Sequence, residues 1–236
     1  MSSYKNWKFN EFNQVGTNYS DISNVKSYDE RMQKFRDIKT ENEFIMKSIG
    51  LKKDHTILEF GCGTGSFAIE AAKHCKKVYA VDVSSIMLKY LKNKAQKKDI
   101  RNIVTVQSGF LNYEHKGEPL DAVVTNAALH HLPDFWKMVA LHNINTILKP
   151  GGRLFLGDVV FSFPIENCME SINNFINNIE KATDADFGKE AETHIREEFS
   201  TYDWILKGML KRTNFSIDKV EYMNEKLFTC FVCTKK

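Results

Sequence analysis

The residues best suited to chemistry lie in one short run, Glu59-Phe60-Gly61-Cys62-Gly63-Thr64-Gly65-Ser66. Glycines at alternate positions let a backbone turn tightly with positive φ and approach a ligand closely. The residues before the run, Thr56–Phe60, read as a short apolar strand, and those after it, 67–74, read as a helix. A glycine-rich turn between strand and helix leaves amides free where a ligand can lie. Asp82 stands at the end of the next apolar run, 78–83. In nucleotide-binding sheets an acid at that place accepts hydrogen bonds from ribose hydroxyls. The pattern departs from the dinucleotide fingerprint G-x-G-x-x-G, because Ser66 stands where the third glycine would pack. No second nucleotide-binding half follows residue 160, only helices and a hairpin.

Two further groups could move a proton. His130 and His131 follow the apolar run 121–125, and Asp158 lies near the end of the run 153–160. Imidazole titrates near neutrality and suits a general base. The alternative for both histidines is to cap the turn or line a cavity passively. Asp158 could accept a proton, bind a cationic group, or serve as a structural acceptor. Cys230 and Cys233 form a C-x-x-C, but they fall in an apparent strand, where positions three apart point to opposite faces. Five cysteines in a chain of 236 residues, with no second pair at zinc-finger spacing, read as buried thiols; no metal site is expected.

The elements around these residues alternate. After a polar arm, residues 1–20, with Trp7, Phe9, Phe12 and Tyr19, the spacing of Tyr28, Met32, Phe35, Ile38, Ile45 and Ile49 predicts a helix over 28–49. Strands follow at Thr56–Phe60, 78–83, Ile103–Gln107, 121–125 and 153–160, with helices between them. Ser84 and Asp134 are expected helix caps. Lys149-Pro150-Gly151-Gly152 is expected to stop the helix that Asp134 begins. Five buried strands in that rhythm predict a parallel sheet covered on both faces. The rhythm then breaks. Met169, Ile172, Phe175, Ile176 and Ile179 mark a helix without a strand before it, followed by a loop at 184–188 and a charged helix at 189–199. A last helix, 204–210, and two strands, 215–222 and 227–234, close the chain as an antiparallel hairpin.

On these residues the chain resembles the class I S-adenosylmethionine-dependent methyltransferases, in their small-molecule branch. Glu59 to Gly65 is similar to the family's first motif, and Val81-Asp82-Val83-Ser84 to the acidic motif after it. The run Asp121-Ala122-Val123-Val124-Thr125-Asn126, continuing to Pro133, resembles the fourth-strand motif, and Leu148 to Leu154 the turn into strand five. The likeness is close over about residues 45–160 and looser over the hairpin. It implies an α/β, Rossmann-like, seven-stranded, mostly parallel sheet with an antiparallel C-terminal hairpin, helices on both faces and a helical N-terminal cap. One domain is expected: arm and cap helix at 1–50, cofactor-binding core at 51–162, helical insertion or lid at 163–200, and last helix and hairpin at 201–236.

The resemblance also implies roles. Gly61, Cys62, Gly63 and Gly65 would line the amino-acid half of S-adenosylmethionine, with Glu59 orienting the loop. Asp82 would hold the ribose hydroxyls, with Val83 against the adenine. Phe110 would offer its backbone amide to the ring, and Asn126 its carbonyl to the methionine portion. Many relatives carry an acid just before the Phe110 position to accept from the adenine amino group, whereas this chain has Gly109. His131 is the base that the resemblance favours, with Asp158 the second candidate. Tyr28 and Arg31 could reach the cofactor or substrate from the cap helix, and Phe161, Phe163 and Phe175 could line an apolar pocket.

Methyl transfer to a small molecule is thus the expected activity. An RNA or protein methyltransferase and a non-catalytic cofactor-binding module are the alternatives. A formal charge of +3 is too small to argue for nucleic acid or a membrane surface. The basic run Lys92, Lys94, Lys97, Lys98 and Arg101 reads as a solvated helix face. Asn126-Ala127-Ala128-Leu129 lacks the D/N-P-P-Y/F/W motif of enzymes that methylate exocyclic amines of bases. With no signal-like start and no bilayer-spanning run, a soluble cytoplasmic protein is expected.

Overall fold

The apolar runs pair into one sheet. In a computed structural model, which describes residues 7–13, 15, 16, 29, 30, 32–34 and 36–236, the strands are β1 (Thr56–Phe60), β2 (Lys77–Asp82), β3 (Ile103–Gln107), β4 (Leu120–Asn126), β5 (Leu148–Phe161), β6 (Thr201–Tyr202), β7 (Phe215–Met223) and β8 (Phe228–Lys235). Their order is β3-β2-β1-β4-β5-β8-β7, and the two-residue β6 pairs off this path with the end of β5. β1 to β5 are mutually parallel, while β8 runs antiparallel to both β5 and β7. The expected seven-stranded sheet is present, and β6 is an addition with no strand-like signal in the sequence.

The helices are α1 (Ile38–Ser48), α2 (Ser66–Ala71), α3 (Ser85–Lys97), α4 (Asp134–Ile147), α5 (Cys168–Ala182), α6 (Ala185–Glu197) and α7 (Asp203–Arg212). Among the described residues no helix is long and apolar enough to cross a membrane.

Strand alternation divides the core between the two faces. Ile57, Val78, Ala80 and Val124 pack with Ile45, Phe67, Leu88 and Leu91 on one side. Leu58, Phe60, Val81 and Val123 pack with Leu141, Ile144, Leu206 and Leu210 on the other. The hairpin obeys the same rule. Cys230 and Val232 belong to the first side, Phe231 and Cys233 to the second. The C-x-x-C is therefore split across the sheet, and both thiols are free and buried.

Several boundaries differ from the periodicity. Asp134 is the first residue of α4 rather than its cap, which is Pro133; its carboxylate accepts from Lys137 and Thr201 instead. The expected loop at 184–188 shrinks to Asp184, which caps α6 by accepting from the Phe187 amide at 3.0 Å. The helix expected over 28–49 is interrupted: residues 29, 30 and 32–34 are helical, 36 and 37 are not, and α1 (Ile38–Ser48) starts anew at the Asp37 cap. Tyr19, Tyr28, Arg31 and Phe35 lie outside the described residues. Ser84 caps α3 as expected, accepting from Met87 N–H. The Lys149–Gly152 stretch does not form a separate turn. It enters β5, with Gly151 at φ +74° and the β4–β5 register shifting between Leu120 and Ala122.

Phe231 is fully buried in β8, between β5 and β7. Phe231→Ala should lower stability by about 3–5 kcal/mol. Urea denaturation should show a lower midpoint with an unchanged slope.

Candidate functional site

β1 pairs with β2 on one side and β4 on the other, so successive connections leave it in opposite directions. Crevices at the carboxyl ends of strands open at such a switch point. The glycine turn occupies it. Gly61, Gly63 and Gly65 have φ of +66°, +48° and +80°, all in the left-handed region. Two of them are also sterically required. A Cβ at Gly61 would lie 2.3 Å from the Ala128 Cβ, and one at Gly65 would lie 2.3 Å from the Leu91 Cγ. A Cβ at Gly63 would meet nothing within 4 Å, because Gly63 faces open space.

That space comprises two adjoining hollows that share Gly61 and Gly63. The larger, about 130 Å³, is lined by Asp82, Val83, Gly109 and Phe110, together with His131 and the arm residue Glu11. The smaller, about 80 Å³, is lined by Glu59, Cys62, Thr64 and Asn126. The expected cofactor residues thus sort into two ends of one crevice. Gly65 lines neither hollow, and its role is to let α2 start against Leu91.

Asp82 is held by two amides. The Gly63 N–H donates to one carboxylate oxygen and the Ser84 N–H to the other, each at 2.8 Å. Burial pushes its pKa up, while these amides pull it down. A carboxylate offers about four acceptor sites, so room remains for two hydroxyls. In the smaller hollow, Glu59 is buried and its Oε2 has no partner, and Asn126 Oδ1 is likewise orphaned. Burial and the nearby Asp82 raise the Glu59 carboxyl well above the usual range. Buried acceptors without donors are rare.

Beyond the crevice lies a chamber of about 570 Å³, walled by Phe44, Phe155, Phe175, Phe187 and Ile179. Ala127 lines both the chamber and the larger hollow and has φ +54°, a strained value for a residue with a side chain. Backbone strain of this kind concentrates at functional sites. Of the three phenylalanines singled out earlier, Phe175 lines the chamber. Phe161 and Phe163 pack against each other and Tyr202 instead.

At the junction, His130 and His131 point to different spaces. His131 lines the cofactor hollow and His130 the chamber. His130 Nδ1 donates to Asp158, and its Nε2 faces Glu198 at 3.2 Å. Glu198 is also bonded to His194. Burial disfavours charge on His130, but Asp158 and Glu198 outweigh it and raise its pKa to about 9. Burial and the His130 cation push His131 down to about 4. At neutral pH the pair is one imidazolium beside one neutral imidazole. Asp158 lines neither cavity; it binds the His130 backbone amide and ring and its own neighbour's amide. His130, His131 and Glu198 have ligand atoms within 4.8 Å of one another, near enough for a cation, although each carboxylate here is already shared with an imidazole.

The comparisons agree with this geometry. Residues 57–152 match the family model of the methyltransferase domain. An uncharacterized methyltransferase of Geobacillus kaustophilus is 30% identical over 192 residues, 81% of this chain and 82% of that protein. The chain belongs to the class I S-adenosylmethionine-dependent methyltransferases. The methyltransferase fold is also that of a SAM-dependent methyltransferase from Aquifex aeolicus, with a TM-score of 0.64 at 18% identity, covering 92% of this chain and 99% of that one. A demethylmenaquinone methyltransferase of Staphylococcus saprophyticus is 29% identical over 146 residues, 61% of this chain and 58% of that protein.

This methyltransferase therefore uses S-adenosylmethionine as its cofactor, and the crevice fits it. The buried carboxylate of Asp82 and the open Gly63 cradle line the crevice, with Glu59 and Asn126 at its other end. Sequence reasoning missed Glu11, His194 and Glu198. His194 and Glu198 stand four apart at the end of α6, a spacing that puts both on one helix face; that was the available signal. Nothing in the local sequence marks Glu11.

Asp82→Ala should remove the carboxylate expected to hold the sugar and release the Gly63 amide. Calorimetry with S-adenosylhomocysteine should show affinity falling by about 10- to 100-fold or more, as expected for loss of charge-assisted hydrogen bonds. The His130 proton gives a second prediction. Its usual pKa is 6.5 and its folded value about 9, so its stabilisation is complete below 6.5 and is lost as pH rises through 9. Across that window the melting temperature of the wild-type chain should fall more steeply than that of His130→Gln.

Proposed function

We propose that this methyltransferase methylates a small, largely apolar molecule held in the 570 Å³ chamber. The observation that carries the reading is the chamber itself. It has the size of a drug-sized ligand site, its walls are largely aromatic and aliphatic with Arg36, Glu41, His130, His194 and Glu198 among them, and it meets the cofactor crevice at Ala127. The likeness to demethylmenaquinone methyltransferases supports an acceptor with a flat ring and a nucleophilic carbon or oxygen.

Bound cofactor supplies an activated sulfonium methyl group, open to in-line displacement. The chain's own residues orient and shield. Asp82 holds the sugar, and the Gly63 cradle with Glu59 and Asn126 holds the amino-acid end. Phe44, Phe155, Phe175 and Phe187 keep water from the acceptor. His131 is the base we assign by position: it borders the crevice, and no hydrogen bond occupies its ring among the described residues, while burial and the His130 cation leave it neutral but a weaker base than a free imidazole. It takes the acceptor's proton as the nucleophile attacks. Asp158 is a positioning residue. It fixes His130 as a cation, and burial with that charge keeps His131 unprotonated.

His131→Ala should lower kcat by about 10²- to 10⁴-fold, the usual worth of a general base, and leave affinity for S-adenosylhomocysteine near that of the wild type. Mass spectrometry of reactions with labelled S-adenosylmethionine and a panel of phenols, quinols and enols tests the acceptor class. Label entering one of these compounds supports the reading. Label entering only RNA or protein would sink it.

A further inference from the structure

Gly109 has no backbone reason to be glycine, because its φ is not among the positive values. It has a spatial reason. A Cβ at this position would lie 2.4 Å from Glu11 Oε2 and 2.7 Å from Oε1. A carboxylate from nearly a hundred residues earlier therefore fills the volume that a side chain at 109 would take.

Glu11 is 9% exposed and lines the same hollow as Asp82, Val83 and Phe110. Its Oε1 accepts from the Leu111 amide at 2.8 Å and from Asn112 Nδ2 at 2.9 Å. Lys8 ties the arm to the same turn, donating to Leu111 O at 3.1 Å and Asn112 Oδ1 at 2.9 Å. Trp7 stacks on Trp136 at 5.8 Å, and Phe9 meets Phe199 edge-on at 6.3 Å. Asn13 and Val15 extend the arm along the hollow. Burial raises the Glu11 carboxyl, and the surrounding donors oppose that rise. A buried carboxylate is costly unless donors surround it, and one at a ligand cavity is well placed to receive another.

The chemistry of the ligand supplies that donor. Asp82 pairs in register with Gln107, and Gly109 lies two residues past it, beyond the end of β3. A nucleoside with its sugar on Asp82 and its base over Val83 extends toward this end of the hollow. The 6-amino group of adenine is its exocyclic donor, and a carboxylate is the complementary acceptor.

We propose that Glu11, carried in on the N-terminal arm, accepts a hydrogen bond from the 6-amino group of the cofactor's adenine, and that Gly109 is glycine to admit it. The proposal rests on the cofactor assignment above. It makes the arm part of the cofactor site rather than a tail beside it.

The test is calorimetry on the full chain with S-adenosylhomocysteine and its 6-deamino analogue, whose base is unsubstituted purine. The wild type should prefer the amino form by about 10- to 100-fold, the worth of a hydrogen bond to a charged group. Glu11→Ala should bind both forms alike. Glu11→Gln, which keeps the shape and one acceptor oxygen, should fall between. The double variant Glu11→Ala with Gly109→Asp should regain a preference, because the new carboxylate occupies the vacated space. Circular dichroism establishes that each variant is folded. An undiminished preference in Glu11→Ala would overturn the assignment and leave Glu11 as a cap for the Leu111 turn. A wild-type chain that binds neither form would overturn the cofactor assignment along with it.

Discussion

One hydrogen bond, from the Gly63 amide to the Asp82 carboxylate, joins the ends of β1 and β2 and sets the shape of everything bound above them. It can form because parallel pairing brings the two strand ends level, with Phe60 opposite Val81. It also needs the turn after β1 to fold back with three left-handed residues, which only glycine does cheaply. The bond fixes the acid's direction, and it turns the open Gly63 cradle toward the crevice.

The second constraint is electrostatic. Two buried carboxylates, Asp158 and Glu198, sit on either side of His130 and hold it protonated, and burial together with that charge keeps the neighbouring His131 neutral. Adjacent histidines therefore have opposite states. One strand end presents a fixed cation to the chamber and a neutral imidazole to the cofactor hollow. Ala127 stands between the two spaces with its backbone in a strained conformation, held by its amide's bond to the Gly157 carbonyl at 2.8 Å. Such strain persists only when the surroundings over-determine it.

The segments outside the sheet divide the covering between them. The insertion helices α5 and α6 supply chamber walls through Phe175, Ile179, Phe187 and Ala191. The N-terminal arm covers the larger hollow, with Glu11, Asn13 and Val15 on its wall. The two meet where Gly16 lies against Glu198, so close that a Cβ there would overlap the carboxylate. The cap segment borders both the chamber, through Thr40 and Phe44, and the smaller hollow, through Ile38 and Asn42, whereas the insertion borders the chamber and the arm the larger hollow.

By itself the sequence determined whatever depends on near neighbours. Short apolar runs bounded by turn residues, such as Thr56–Phe60 before its glycines, located the strands, because a strand buried on both faces reads as a continuous apolar run. The glycine spacing and Asp82 marked the cofactor crevice, because a turn and the strand beside it are local features. Local chemistry misled at the edges. Asp134 and Asp184–Gly188 carry the residue types of caps and loops, yet Lys137 one turn on and the remote Thr201 claimed the Asp134 carboxylate, and α6 began at Ala185. Only the tertiary structure decided the company each charge keeps. Glu11 reaches Gly109, Glu198 reaches His130, and Asp158 is withdrawn from both cavities. Those pairings join residues far apart in the chain, and they set protonation through burial and Coulomb interaction, which act through space and leave no periodic trace in a sequence.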